Sequence, residues 1–260
     1  MNGLIMLLII IIPAASAVLA FLAPQKAKEP TAVVGTAANL IAVISVYGRE
    51  LTFFKPWAGF GIDFSLRLYS FSGLILLCAA VFSFLTALYS AAFFKGKAGS
   101  GQYTAYFLLT VTLINGAVMA NNLALLLFFW EGILATMFLM IMSGGKDAYK
   151  TSVKAVIIVG LTDLCMMLGI GLTGYLAKTL EMDKIHLPIA SLGTAAFLLL
   201  VIGALGKAGA MPFHTWIPDA ADNAPTPFMA FMPGAAEKLL GIYLLFRICA
   251  DLYKFEPGSP

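Results

Sequence analysis

Five ionisable residues lie within or beside apolar stretches of the sequence and could exchange protons: Glu131, Asp163, Lys207, His214 and Lys238. A charge at the centre of a lipid bilayer costs about 2.5–3.5 kcal/mol on insertion scales, so such residues face the protein interior and pair. Desolvation favours the neutral forms of lysine and carboxylate, whereas a nearby opposite charge favours their charged forms. A buried lysine whose carboxylate partner moves closer or farther therefore predicts a proton switch.

Each of these residues also has a structural interpretation, and the sequence leaves it open. Glu131 could accept a hydrogen bond from a neighbouring hydroxyl, and Asp163 could join two helices. Lys207 lies in the last third of its apolar run and could extend to the membrane interface. Lys238 could form a structural pair with an acid. His214 could be a hydrogen-bonded structural residue rather than a proton relay.

Two further charged residues lie in the last apolar run. Glu237 precedes Lys238 and points about 100° away on a helix, so the two residues cannot share one helix face. A pair between Glu237 and a neighbouring subunit is one interpretation, and the sequence leaves the role of Glu237 open. Arg247 lies near the end of the run, where its long side chain is expected to extend to the membrane interface.

The segment 203–238 contains Lys207 and Lys238 and is interrupted by prolines. Pro212 and Pro218 follow Lys207, and three more prolines precede Lys238. Because proline removes a backbone donor, this pattern predicts a broken seventh span whose free carbonyls face protein or water.

Composition assigns the chain to the membrane class. Of its 260 residues 61% are hydrophobic and 11% charged, against about 25% charged in soluble domains. The pattern predicts an all-α polytopic protein with about eight transmembrane helices, at about 20 residues per span. The predicted spans are 3–23, 31–47, 70–92, 103–120, 123–142, 152–176, 190–211 and 228–249.

Three regions follow from this pattern. Residues 1–102 hold spans 1–3, with a retained first span and an extramembrane hairpin-like loop at 48–68. Alternation at Ile62–Leu68 predicts a strand within that loop. Residues 103–250 hold a five-helix ion-translocating unit (spans 4–8), in which Asn121 and Asn122 form a tight turn. Residues 251–260 form a short polar tail. Short loops are expected at Gln25–Pro30 and Lys95–Gln102.

Several functional classes are disfavoured. The net charge of +3 comes mostly from lysines between apolar runs, which indicates membrane topology rather than nucleic-acid binding. Cys78, Cys165 and Cys249 are isolated, so neither an iron–sulfur site nor a disulfide framework is expected. No phosphate-binding or dinucleotide-binding motif is present. We therefore expect no cofactor or metal in this chain. Lysine and arginine in short loops favour an N-terminus outside the cell membrane by seven residues to five.

Three stretches carry a family resemblance. Residues 207–244 (KAGAMPFHTWIPDAADNAPTPFMAFMPGAAEKLLGIYL) closely resemble the signature of antiporter-like membrane subunits. These subunits occur in respiratory complex I, in multisubunit sodium/proton antiporters and in group 4 membrane-bound nickel–iron hydrogenases. LALLLFFWEGILATMFLMI, around Glu131, resembles the family's fifth helix with its key glutamate. TDLCMMLGIG, around Asp163, resembles the sixth-helix segment, where some members carry an acid.

The resemblance implies roles for these residues. Lys207 would be the central lysine of helix seven and Lys238 the relay position of helix eight, within one antiporter-like repeat. The AAEKLLGIYLL run looks most like the hydrogenase type. The chain departs from the family at LRLYSFSGLI, where Tyr69 and Ser70 replace the usual aspartate. Family members usually have about fourteen helices in two inverted repeats, so we expect a separate chain to supply the second half, unless this chain is a truncated form.

The resemblance therefore implies a subunit that moves protons, or sodium ions, within a redox-driven prokaryotic membrane complex. Glu131 would tune Lys207, and Lys207 would pass a proton toward Lys238 through water and His214. Asp163 would support the pair. Iron–sulfur clusters and a nickel–iron or quinone site are expected on partner subunits, including peripheral hydrogenase or oxidoreductase subunits. The alternatives are a multisubunit sodium/proton antiporter without a redox partner and a half-subunit that only anchors a complex.

Overall fold

The computed structural model describes residues 2–59, 62–95 and 100–254, and most of them are helical. The nine helices of these ranges are α1 Asn2–Leu22, α2 Gln25–Val46, α3 Ser70–Phe93, α4 Ser100–Met119, α5 Leu123–Met142, α6 Ala148–Ala177, α7 Leu192–Lys207, α8 Trp216–Asn223 and α9 Thr226–Leu252. The predicted mainly helical membrane fold is confirmed.

Six of the described helices, α1, α2, α3, α5, α6 and α9, are long and apolar enough to cross a membrane. Helix α7 is apolar but has only 16 residues. Helix α4 has 20 residues and packs against α1, α2, α3 and α5, which places it at the centre of the N-terminal part. Eight spans would require α4 and α7 to cross the membrane as well, and for these two helices the crossing stays a prediction.

An antiparallel hairpin follows α2. Strand β1 (Leu51–Gly59) pairs with β2 (Ile62–Leu68), and Leu51 lies opposite Leu68. The strand predicted at Ile62–Leu68 is confirmed. The hairpin contacts the link between α4 and α5, because the Asn121 amide donates to the Ser65 carbonyl at 2.9 Å. Asn122 then caps α5 by accepting from the Ala124 amide at 3.0 Å. Instead of the predicted tight turn, this link is short and extended, and Ala120 and Asn122 each form an isolated β-bridge.

Two predicted loops differ from the structure. The expected loop Gln25–Pro30 forms the first turns of α2, because Gln, Lys, Ala and Glu are strong helix formers that outweigh a proline near the helix start. In the expected loop Lys95–Gln102, residues 96–99 lie outside the described part, and Ser100 already begins α4.

The expected polar tail is also partly ordered. Helix α9 runs to Leu252, and a short strand β4 (Tyr253–Lys254) pairs in parallel with β3 (Leu187–Pro188). Residues 255–260 lie outside the described part. The predicted division at residues 102 and 250 remains a prediction.

Helix α7 ends at Lys207, four residues before the end of the predicted span. Gly209 adopts a positive φ of 64°, which glycine tolerates without steric cost. The Ala210 amide donates to the Leu205 carbonyl at 3.0 Å, and the Gly209 amide donates to the Gly206 carbonyl at 3.0 Å. These two bonds are a Schellman motif, which satisfies the last carbonyls of a helix. Turns then lead to α8.

Helix α9 is not a uniform α-helix. Its segments Met232–Ala236 and Arg247–Leu252 are π-helical, and the ten residues between them are α-helical. A π-turn contains one residue more than the α-helical turn it replaces, and such turns are frequent at functional sites. The first of them ends directly before Glu237 and Lys238.

Candidate functional site

A buried ion pair joins α6 and α7. The Lys207 ammonium lies 3.1 Å from Asp163 Oδ2, and each side chain is only 1% exposed. The two helices approach closely, because Gly206 leaves no room for even a methyl group against the side chain of Thr162. Asp163 follows Thr162 and Lys207 follows Gly206, so this contact brings the two charged residues together.

Trp130 on α5 contacts both members of this pair. Its indole N–H donates to Asp163 Oδ1 at 2.8 Å, and the Lys207 ammonium lies 4.9 Å from the centre of a Trp130 ring. Each carboxylate oxygen of Asp163 therefore has a donor, and the lysine also gains a cation–π contact. Sequence reasoning missed Trp130. The available signal was its position next to Glu131 in an otherwise aliphatic and aromatic run.

Glu131 lies beside this pair but is not the direct counter-ion of Lys207. Its side chain is half-buried and lines an open cleft of about 550 Å³ between α5 and α6. It interacts electrostatically with Asp163 and Lys207, but no hydrogen bond joins it to Lys207 in the described residues. Asp163, rather than Glu131, forms the ion pair with Lys207, and the predicted tuning of Lys207 by Glu131 stays a prediction.

Lys238 faces away from the buried pair. Its side chain is exposed in this chain, and its ammonium donates to the Ala208 carbonyl at 2.8 Å. The expectation that Lys238 faces the bundle interior is wrong here. Its contact with Ala208 adds a positive group to the C-terminus of α7, where the helix dipole favours one.

Glu237 takes the interior position instead. It is 1% exposed, and within the described residues neither of its carboxylate oxygens has a hydrogen-bond partner. A pair between Glu237 and a neighbouring subunit is disfavoured, because the side chain is enclosed by its own chain.

His214 lies in the turns between α7 and α8. It is half-buried, and its Nδ1 is buried without a hydrogen-bond partner in the described part of the chain. No described hydrogen bond connects it to Lys207 or Lys238, so its predicted relay role stays a prediction.

A second charged cluster forms near the end of α9. Arg247 is fully buried, and its Nε lies 2.6 Å from Asp251 Oδ2 while its Nη1 donates to the Tyr243 hydroxyl at 2.7 Å. The expectation that Arg247 extends to the interface is wrong, because these acceptors hold it inside. Tyr69, before α3, donates to Asp251 at 3.3 Å. Burial, partly offset by the Arg247 guanidinium, raises the pKa of the Tyr69 phenol, which keeps it a donor.

The residues that the structure describes include no cluster of three or more His, Cys, Asp or Glu side chains that could hold a metal ion. The carboxyl and amino groups of the site can gain and lose protons.

Comparison with known families decides the assignment. Residues 120–257, more than half of the chain, match the family described as NADH:quinone oxidoreductase/Mrp antiporter, TM. The chain belongs to this family. The matched region contains α5 to α9, and with them every residue of the buried site. The predicted membership of the antiporter-like membrane subunits is thereby confirmed.

Curated relatives include both respiratory and antiporter proteins. NADH-quinone oxidoreductase subunit L of Campylobacter jejuni is 33% identical over 206 residues, which are 76% of this chain and 33% of that protein. The A/B subunit of a probable K(+)/H(+) antiporter of Rhizobium meliloti is 30% identical over 197 residues, which are 72% of this chain and 19% of that protein. The chain thus spans a third or less of the length of these two relatives.

A solved structure supports the fold. The archaeal membrane-bound sulfane sulfur reductase contains a chain that superposes with a TM-score of 0.79 at 22% identity, covering 93% of this chain and 40% of that one. At this identity the likeness concerns the fold alone.

Proposed function

We propose that this chain is a proton-translocating membrane subunit, with sodium ions as the alternative cargo, and that the Lys207–Asp163 pair is its central switch. The observation that carries the proposal is a completely buried ion pair, in a family of oxidoreductase and antiporter membrane subunits. A buried ion pair is not in general a source of stability, since desolvation offsets its attraction. Ionisable residues inside membrane helices instead mark ion pathways.

The geometry supports a switch. Asp163 is held by the Trp130 indole and by Lys207, so the carboxylate keeps one donor when the lysine moves away. Lys207 sits on the last residue of α7, directly before a turn region, where a small backbone movement changes its distance from Asp163. Separation favours loss of the lysine proton and approach favours its uptake. Glu131, half-buried beside the pair, connects it electrostatically to the cleft between α5 and α6.

The driving reaction is proposed to be redox chemistry on partner subunits. The relatives include a subunit of NADH-quinone oxidoreductase, and one solved structure with this fold belongs to an archaeal respiratory membrane complex. The run AAEKLLGIYLL at residues 235–245 favours the hydrogenase type within this group. Iron–sulfur clusters and a nickel–iron or quinone site would lie on those partners, and another membrane chain would supply the second antiporter-like half. The complex would sit in a prokaryotic cell membrane, with the N-terminus of this chain outside.

A second candidate function is membership of a cation/proton antiporter without a redox partner. It is favoured by the relatives from potassium/proton and sodium/proton antiporters. The composition of the native complex separates the two functions. Redox subunits that co-purify with a tagged form of this chain support the first, and their absence together with gradient-driven exchange supports the second. A half-subunit that only anchors a complex would lose assembly, but not ion movement, when its charges are removed.

The decisive experiment replaces Lys207 by Ala in the native complex, reconstituted into liposomes. Proton movement is followed with a pH-sensitive dye during turnover or under an imposed cation gradient. Lys146→Ala, at an exposed loop position, is the matched control. We expect Lys207→Ala to abolish proton movement and Lys146→Ala to preserve it, with equal assembly of both. Full ion movement by Lys207→Ala would contradict the proposed function.

A further inference from the structure

A second acidic side chain, Glu237 of α9, is buried next to the site. Glu237 begins the α-helical part of α9, and Gly241 lies one turn later on the same helix face. Gly241 packs directly on the end of α7, because an added Cβ would lie 2.6 Å from the Ala204 carbonyl oxygen and 2.6 Å from the Ala208 amide. The helix face that carries Glu237 is therefore pressed against the last turn of α7, which contains Lys207.

The surroundings of Glu237 do not stabilise a lasting negative charge. In the described part of the chain no donor reaches either carboxylate oxygen, and the side chain is 1% exposed. A buried carboxylate without hydrogen bonds costs several kcal/mol, so such a group takes up a proton instead. Its charged neighbours are Lys207 on α7, Lys238 on its own helix and Asp163 on α6. Helices α3 and α4, which also contact this part of α9, carry no Asp, Glu, Lys or Arg in their described ranges.

Both lysines among these neighbours already have another polar partner. Lys207 pairs with Asp163, and Lys238 donates to the Ala208 carbonyl. Glu237 thus lies near two positive charges and is hydrogen-bonded to neither. A fixed hydrogen-bond partner would hold an acid in one protonation form, whereas an unpaired acid can alternate between carboxylic acid and carboxylate.

We propose that Glu237 is a second proton-carrying carboxyl group of the site, which exchanges its proton with Lys207. The inference rests on the proposed function and adds a residue to it. In the forward step the O–H bond of the Glu237 acid breaks and an N–H bond forms on the neutral Lys207 amine. The products are a carboxylate and an ammonium, so the net charge of the two residues is zero before and after. The reverse step restores the acid.

In this arrangement Lys207 stands between two acids. Asp163 stabilises the ammonium on the α6 side, and Glu237 holds the exchangeable proton on the α9 side. The path of the proton therefore leaves the α6–α7 pair through an acid on α9 before it reaches the exposed Lys238. This changes the order that the sequence predicted, which led from Lys207 to Lys238 through water and His214.

The test compares Glu237→Gln with Glu50→Gln in the native complex in liposomes. Glu50 is exposed, outside the helices, and undergoes the same chemical change. Proton movement is measured across a range of pH, and infrared difference spectra detect the C=O stretch of a protonated carboxylic acid. We expect Glu237→Gln to lower proton movement at least tenfold and to remove an acid band that shifts in heavy water. Glu50→Gln should retain both.

The outcomes separate this inference from the proposed function. If Lys207→Ala stops proton movement while Glu237→Gln keeps the wild-type rate and pH profile, the inference about Glu237 is wrong and the proposed function stands. If Lys207→Ala is also fully active, the proposed function itself fails. Should Glu237→Gln not assemble, the acid band of Glu237→Asp decides. A displaced band supports the assignment, and an unchanged band overturns it.

Discussion

Replacing Asp163 by Asn would leave the Lys207 ammonium buried without its counter-charge. At the observed separation of 3.1 Å, Coulomb's law with an effective dielectric constant of about 20 gives an attraction of about 5 kcal/mol. Removal of one partner of a buried pair typically costs about 3–5 kcal/mol, since the other charge remains uncompensated. The Asn side chain can still accept from Trp130, so the loss concerns mainly charge.

The protein can respond to the uncompensated charge in two ways, and both predict a loss of proton movement. Either α6 and α7 separate, which lowers stability, or Lys207 stays neutral, which removes the switch. A penalty of about 3–5 kcal/mol corresponds to two to four powers of ten in an equilibrium constant. We therefore expect Asp163→Asn to reduce proton movement in liposomes by at least a hundredfold. The midpoint of thermal unfolding in detergent should fall if Lys207 remains charged.

A double variant separates the two contributions. In Asp163→Asn combined with Lys207→Met, both charges are gone and the desolvation penalty disappears. We expect this variant to recover the thermal midpoint of the wild-type protein but not its proton movement. Near-wild-type transport by Asp163→Asn alone would refute the reasoning, because Lys207 would then not depend on this carboxylate.

Three further changes test the surroundings of the pair. Trp130→Phe removes the indole donor to Asp163, and a hydrogen bond to a charged group is worth about 1.5–3 kcal/mol. Transport assays should therefore show a partial loss of proton movement, and an unchanged rate would contradict a role for Trp130. Gly241→Ala places a methyl group 2.6 Å from the backbone of α7, and overpacking costs about 1–3 kcal/mol. The thermal midpoint and the rate of proton movement should both fall, whereas an unchanged midpoint would show that α9 moves freely. Arg247→Met removes the ion pair with Asp251 and the hydrogen bond to Tyr243. It should lower the thermal midpoint, and a stability equal to wild type would mean that the cluster contributes nothing.

Sequence reasoning anticipated the helices and the strand of β2 well, because long apolar runs and strict alternation are local signals. It also singled out Lys207 and Asp163 as interior charges. It did not show which of the two acids, Glu131 or Asp163, forms the ion pair with Lys207. The acids lie on different helices, and the close contact of Gly206 with Thr162 places Asp163 against the lysine. That contact depends on how α6 and α7 are rotated against each other, which no local pattern encodes.

The misassignments have a similar origin. Arg247 looked like an interfacial residue because its partner Asp251, one turn later, was expected in a tail. Tyr69, which donates to Asp251, lies far away in the sequence, before α3. The loop expected at Gln25–Pro30 followed from treating proline as a boundary, although the residues before it favour helix. Long-range contacts and competing local preferences account for these errors.

The π-turn at Met232–Ala236 has a consequence for the direction of the side chains that follow it. One extra residue in a turn rotates everything that follows by about 100° relative to a continuous α-helix of the same sequence. Glu237 and Lys238 are neighbours about 100° apart, so relaxation of this turn to α-helical geometry would move Glu237 to the direction that Lys238 now takes, outside the interior. The polarity of the interior next to α7 therefore depends on the winding of this turn, as well as on the residues that follow it.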